Sequence, residues 1–262
     1  MSTILDAIAG YARQRVARDK EAVGPEAMKE LAAGSPSNGR AFYDAVGSAG
    51  MSFICEVKKA SPSKGVIDPV FDYLSIAGAY EDAGADCVSC LTEPKWFLGS
   101  DDIFRDIRLA IRTPMLRKDF VVDEYQLYQA KAMGADCVLL ICSLLDTETL
   151  ARYLGVCEGL GLAALTETHD EKEIGAAVAA GARMIGVNNR NLRNFSVDLG
   201  NAARLRKRIP ADCLFVAESG VRTPADAAAM KSVGADAILM GEALMRASDK
   251  KAALDAMREA TA

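Results

Sequence analysis

The chain has 262 residues, half of them apolar, and carries 36 acidic against 31 basic side chains for a formal net charge of −5. That balance supports a large buried core and, with no Lys/Arg-rich run, excludes an electrostatically built nucleic-acid or anionic-membrane surface. No apolar run approaches the roughly 18 residues of a membrane span, and MSTILDAIAGYARQRVARDKEAV breaks its apolar residues with charges, so no signal peptide is expected.

Taken in chain order, the first 47 residues read as a helical extension. Ile4, Leu5, Ile8, Tyr11 and Val16 fall on one face of a helix, Pro25 suits the first position of a second, and Gly34 to Gly39 form a loop. Such a segment either covers one end of a domain or forms a lid that touches substrate, and both uses stay open.

From about residue 48 the pattern repeats. AGADCVSCL from Ala83, MGADCVLLI from Met133, AGARMIGVN from Ala180 and VGADAILMG from Val233 each combine a helix end, a glycine and a buried-strand run. Gly84, Gly134, Gly181 and Gly234 are separated by 50, 47 and 53 residues. A strand–helix unit takes about half that spacing, so each interval predicts a second strand: Pro114 to Lys118, Leu162 to Glu167 and Cys213 to Glu218, with Met51 to Lys58 ahead of the first repeat. Eight near-continuous apolar strands, each followed by a helix, predict an α/β fold: a single (β/α)8 TIM barrel over 48–262 with an N-terminal helical extension over 1–47. An open doubly wound sheet would more usually need five or six strands, and no GxGxxG follows the first one.

In a barrel, chemistry sits where the strands end. Strand 1 ends in Glu56 and Lys58, two apart and so on one face; Lys118, Glu167, Asn188 and Glu218 end strands 3, 5, 6 and 7. Two lysines and three glutamates at one register make an acid–base cluster. A second cation in the rim lowers a lysine's pKa and three carboxylates oppose that shift, so its sign stays open. Ser219-Gly220 followed by Thr223-Pro224, and Gly241-Glu242 after strand 8, suit a phosphate, with Ser61 to Gly65 adding a hydroxyl and a cation. Glu242 is the oddity there, since its carboxylate must turn away from an anion.

Other features carry less. His169 is the only histidine and reads as a loop residue; a His-rich metal site or a Ser-His triad is not expected. Cys87 and Cys90 lie on opposite faces of a strand, so they form neither a zinc site nor a redox pair. Seven cysteines, mostly in apolar runs, read as reduced thiols of a cytoplasmic protein. Trp96 and Phe97 follow strand 2, where a loop aromatic packs on a helix or on a flat apolar ligand.

Five ordered motifs between about Ala41 and Arg246 resemble indole-3-glycerol phosphate synthases: ICEVKKASPSKGVI from Ile54, LTEPKWFLGS from Leu91, LRKDFVVDEYQLYQAKAMGAD from Leu116, IGVNNRNL from Ile185 and VAESGVRTPAD from Val216. The resemblance implies ring closure, decarboxylation and dehydration of 1-(2-carboxyphenylamino)-1-deoxyribulose 5-phosphate in tryptophan biosynthesis, with no cofactor and no metal. It implies that Lys118 is the general acid, that Lys58 holds the substrate carboxylate, and that Glu167 stabilises positive charge or acts as base. Glu56, Asn188 and Glu218 would position these groups and the substrate hydroxyls. Ser61, Arg190, Ser219, Gly220, Gly241 and the backbone of Glu242 match the phosphate end; Phe97, Leu139 and Leu192 match the apolar pocket. Departures are few: Thr166 and Thr168 flank Glu167, and Glu93-Pro94 fall in a variable part of the strand 2 loop. The implied partner is a small phosphorylated substrate, with no nucleic acid or membrane, and the enzyme a monomer or weak homo-oligomer. Three alternatives stay open: a phosphoribosylanthranilate isomerase, which would want a catalytic Cys where Cys55 should face the helices; a non-catalytic paralogue; and the same chemistry on a modified anthranilate.

Overall fold

A computed structural model describes residues 3–191 and 194–262. Three helices come first: α1 (Ile4–Ala22), α2 (Pro25–Ala33) and α3 (Gly39–Val46). Among the described residues, eight parallel strands then close a barrel: β1 (Ser52–Val57), β2 (Cys87–Leu91), β3 (Met115–Lys118), β4 (Cys137–Ile141), β5 (Ala163–Thr168), β6 (Met184–Asn188), β7 (Leu214–Glu218) and β8 (Ala237–Met240). β1 closes it by pairing with β2 (Ile54 opposite Cys87) on one side and β8 (Ser52 opposite Ala237) on the other. Outside run α4 (Tyr73–Asp82), α5 (Asp101–Ala110), α6 (Tyr125–Ala132), α7 (Thr147–Leu160), α8 (Glu171–Ala179), α9 (Gly200–Leu205), α10 (Pro224–Ser232), α11 (Glu242–Arg246) and α12 (Lys250–Ala260).

Alternation divides the strand residues into two apolar layers. Phe53, Cys55, Val88, Cys90, Leu140 and Phe215 face the helices, while Ile54, Cys87, Leu116, Leu139, Leu165, Met184, Val216 and Leu239 fill the lumen. Cys55 therefore faces the helices, and Cys87 and Cys90 lie on opposite sides of β2.

The repeated Gly-Ala-Asp explains itself at the strand-start end, the floor. Gly84, Gly134, Gly181 and Gly234 all take φ between +79° and +88°, one residue past a helix cap, where a side chain would be strained. The aspartates that follow tie in the neighbouring strands: Asp86 accepts from Phe53 N (2.8 Å), Asp136 from Met115 N (2.9 Å) and Asp236 from Phe215 N (2.7 Å). The one repeat without Asp has Arg183, whose guanidinium lies 4.8 Å from the Tyr43 ring centre.

The extension packs against both ends of the barrel. α3 plugs the floor, its Phe42 and Val46 fully buried among the lumen residues. Gly39 lets it dock: a Cβ there would stand 2.2 Å from Ala163 N. α1, capped reciprocally by Thr3 and Asp6, crosses the opposite end. Arg15 anchors it with a bidentate pair to buried Asp119 (2.7 and 2.8 Å), and Lys20 adds Asp123 (2.7 Å).

Candidate active site

The strand-end rim gathers the charges under a roof formed by α1. Each rim group lies two residues beyond a lumen residue on its own strand: Glu56 above Ile54, Lys118 above Leu116, Glu167 above Leu165, Asn188 above Gly186 and Glu218 above Val216. One cleft is lined by all five, together with Lys58, Arg190, Ser61, Ser219, Gly220, Gly241, Glu242, Phe97 and Leu139. Leu192 lies outside the described residues.

Lys118 is the hub. Its ammonium lies 3.4 Å from Glu218 Oε2, 3.8 Å from Glu56 Oε2 and 3.9 Å from Glu167 Oε2. Glu56 also binds the Lys58 ammonium directly through Oε1. The sign that the sequence left open is upward for Lys118: burial disfavours its charge, but Glu218, Glu56 and Glu167 outweigh burial and raise its pKa. Glu56 is held below the ordinary carboxylate range, because Lys58, Lys118 and Arg190 outweigh its burial. Glu218 goes the other way. Burial and the negative Glu167 and Glu56 push it up to about 8 against the pull of Lys118. Among the described residues neither Glu218 oxygen receives a hydrogen bond, so both are available to a ligand's hydroxyls.

Two glycines make room for this cluster. A Cβ on Gly186 would fall 2.1 Å from Glu218 Oε1, and one on Gly241 would fall 2.4 Å from Glu56 Oε1 and 2.8 Å from Lys58 Nζ. Gly186 escaped the sequence reading, since a glycine inside a strand gives no local hint of which side chain it accommodates.

The same cleft is lined by Ser219-Gly220 after β7, Gly241-Glu242 at the start of α11, Arg190 and Ser61. Glu242 turns its carboxylate to Arg246 (3.2 Å) and Lys64 (3.6 Å). Ser219 and Gly220 both have positive φ, +63° and +96°. Arg190 is half-buried and donates to Phe195 O at 3.3 Å.

The strand 2 loop divides its aromatics. Trp96 packs edge-on against Tyr11 of α1, ring centres 5.8 Å apart, whereas Phe97 lines the cleft beside Phe120 at 5.9 Å. Buried Glu93, a residue the sequence reading left in a variable loop, organises this turn: its carboxylate accepts from the backbone N–H of Lys95 (3.0 Å), Trp96 (2.7 Å) and Phe97 (3.0 Å). α1 adds Ile4, Leu5 and Ile8 to the apolar wall. Their helical spacing was legible, but not which end of the barrel they cover.

The arrangement offers proton donors and acceptors, an apolar wall and the Arg190 guanidinium within one cleft. Comparison with known proteins gives it a family. A family model described as indole-3-glycerol phosphate synthase matches residues 5–257. The chain is 50% identical over 256 residues to an indole-3-glycerol phosphate synthase of Ruminiclostridium cellulolyticum, covering 97% of this chain and 98% of that one. It is 45% identical over 247 residues to the corresponding synthase of Endomicrobium trichonymphae, covering 94% and 96%. Among solved structures, a 3-hexulose-6-phosphate synthase superposes with a TM-score of 0.65 at 20% identity, over 81% of this chain and 100% of that chain, a likeness of fold.

Proposed function

The chain belongs to the indole-3-glycerol phosphate synthase family, and from that premise we propose how its own residues carry the reaction. The enzyme is a decarboxylating lyase of tryptophan biosynthesis. It converts 1-(2-carboxyphenylamino)-1-deoxyribulose 5-phosphate into indole-3-glycerol phosphate, carbon dioxide and water. In our reading Lys118 is the general acid. As the carboxyl-bearing ring carbon attacks the ribulose carbonyl, a C–C bond forms and the carbonyl oxygen takes the Lys118 proton. Loss of carbon dioxide returns its bond electrons to the ring system and neutralises the iminium nitrogen. The new hydroxyl then leaves with a second proton as water, while a base removes the C–H proton that completes the indole. Two protons leave the protein and one returns, which matches the carboxylate charge lost with carbon dioxide.

The geometry supports a division of these tasks. Lys118 is the ammonium that all three carboxylates face, within 3.4–3.9 Å, and this observation carries the assignment. Glu218, whose carboxyl is pushed up by burial and by the negative Glu167 and Glu56, stands 3.4 Å from Lys118 to return a proton to it. Glu167 serves the positive charge developing at nitrogen and the C–H proton. Lys58, fixed by Glu56, takes the substrate carboxylate. Asn188 and Glu56 position the lysines and the sugar hydroxyls. Phe97 and Leu139 flank the aromatic ring. Ser61, Arg190, Ser219, Gly220, Gly241 and the Glu242 backbone hold the phosphate. We also place the enzyme in the cytoplasm, as a monomer or weak homo-oligomer. Five buried and two half-buried free thiols support the reducing compartment.

The test is indole fluorescence on adding the carboxyphenylamino-deoxyribulose phosphate to purified protein. Lys118→Ala is expected to lower kcat between about 10²- and 10⁴-fold, the usual range for loss of a general acid. Retention of more than about a tenth of wild-type turnover would remove Lys118 from that role.

A further inference from the structure

His169 follows Glu167 by two residues at the turn into α8, and the mechanism above makes no use of it. Its surroundings are unusual for a loop residue. The backbone N–H of His169 donates to Glu173 Oε2 at 2.7 Å, and Nδ1 meets the same oxygen at 3.1 Å. Glu173 is itself fixed, accepting from Ser143 Oγ at 2.5 Å through its other oxygen and presenting its backbone N–H to the Asp170 cap at 2.9 Å. Asn201 from α9 donates to the His169 carbonyl at 3.2 Å. The ring is thereby held on edge, and its second nitrogen is aimed: Nε2 is buried without a hydrogen-bond partner among the described residues and lies 3.5 Å from Glu167 Oε1. The other oxygen of Glu167 faces Lys118.

A carboxylate only accepts hydrogen bonds, so an imidazole set between two of them is best satisfied with a proton on each nitrogen. We propose that His169 is a positioning residue for catalysis: its imidazolium clamps Glu167 Oε1 and so fixes the orientation in which the opposite oxygen meets Lys118. This deepens the synthase reading and rests on it. The groups that face the imidazole are Glu167 from β5, Glu173 from α8 and Glu218 from β7, with the Cys142 thiol, pushed up to about 12 by burial and so uncharged, beside the two nearer carboxylates. Burial works against the imidazolium, but the hydrogen bond to Glu173 and the charges of Glu167 and Glu173 outweigh it and raise its pKa. The clamp is therefore present below that raised value and lost as the pH climbs through it.

Because the sequence contains a single histidine, protein made without a histidine tag gives one imidazole signal to follow by NMR. The wild-type ring is expected to titrate above the ordinary value of about 6.5, and E167Q and E173Q are each expected to lower the midpoint. A midpoint that E173Q lowers and E167Q leaves in place would sink the proposal, since the ring would then serve only the α8 turn. Kinetics supply the second readout. His169→Gln is expected to reduce kcat on the order of tenfold, with KM within about twofold, and to abolish the part of the alkaline decline in kcat that tracks the histidine titration. Unchanged kcat, or an unchanged alkaline decline, would overturn the role. The titration is read without substrate, so absence of turnover in the wild type would defeat the synthase reading and leave the Glu167–His169 coupling separately decided.

Discussion

The two ends of the barrel are made by the same eight strands and solve opposite problems. At the floor, Phe42 and Val46 continue the lumen's apolar filling, and the aspartates of the repeat each satisfy a backbone N–H of the preceding strand. At the rim, the next inward residue on five strands is polar or charged, three carboxylates crowd one ammonium, and both oxygens of Glu218 lack hydrogen bonds among the described residues. Buried groups left in that state work against stability and stay ready for a ligand. The floor holds the barrel closed, and the rim spends some of that stability on readiness.

A single added methyl tests the contrast at each end. Gly186→Ala places a Cβ against the Glu218 carboxyl at 2.1 Å. The tip of a flexible side chain can yield, so the structure survives while a group meant to face Lys118 is displaced. We expect kcat to fall on the order of 10²-fold, as for a 1 Å misplacement, with Tm moved by less than about 3 °C. Steady-state kinetics beside a thermal melt separates the two effects. Gly39→Ala is the same chemical change at the floor, where the obstacles are the Ala163 nitrogen at 2.2 Å and the Leu162 carbonyl carbon at 2.4 Å. Backbone cannot rotate away, so α3 must lift from its seat. Overpacking of this kind costs about 1–3 kcal/mol, or about 3–10 °C in Tm, and kcat/KM at 25 °C should stay within twofold. A Gly39→Ala enzyme that keeps its Tm but loses turnover would erase the division between the ends.

The same contrast marks what the sequence could reveal. The barrel was legible because glycine-capped helix ends and buried strands recur at a nearly fixed interval. The rim was legible because alternation carries Glu56, Lys118, Glu167, Asn188 and Glu218 inward from apolar strand residues. Properties set by approach across space were not legible. Gly186 reads as any strand glycine until Glu218 from the adjacent strand is set against it. Glu93 reads as loop polarity until three backbone N–H groups turn toward it. The first and third helices both present apolar residues, and only docking decides that α1 roofs the cleft while α3 fills the floor. The sign of the Lys118 shift likewise depended on three distances that spacing along the chain does not contain.

The smallest expected effect sharpens the claim that the rim is held against its own stability. Glu218 is fully buried, and its carboxyl titrates at about 8 in the folded protein against an ordinary value of 4.5. A carboxyl with a raised folded pKa binds its proton more tightly in the folded chain than in the unfolded one. Between those two values the folded state therefore holds more protons, and stability falls as the pH rises. Below about 4.5 the group adds no penalty; above about 8 it contributes the full cost of burying a charge that burial and the negative Glu167 and Glu56 disfavour more than Lys118 favours it. Glu218→Gln keeps the shape and removes the titration. Relative to wild type its Tm should rise by a few degrees at pH 9 and by much less at pH 5, even as turnover drops. A Tm difference that is flat from pH 5 to 9 would mean that Lys118 fully compensates Glu218, and the rim would then be as well satisfied electrostatically as the floor is by its backbone hydrogen bonds.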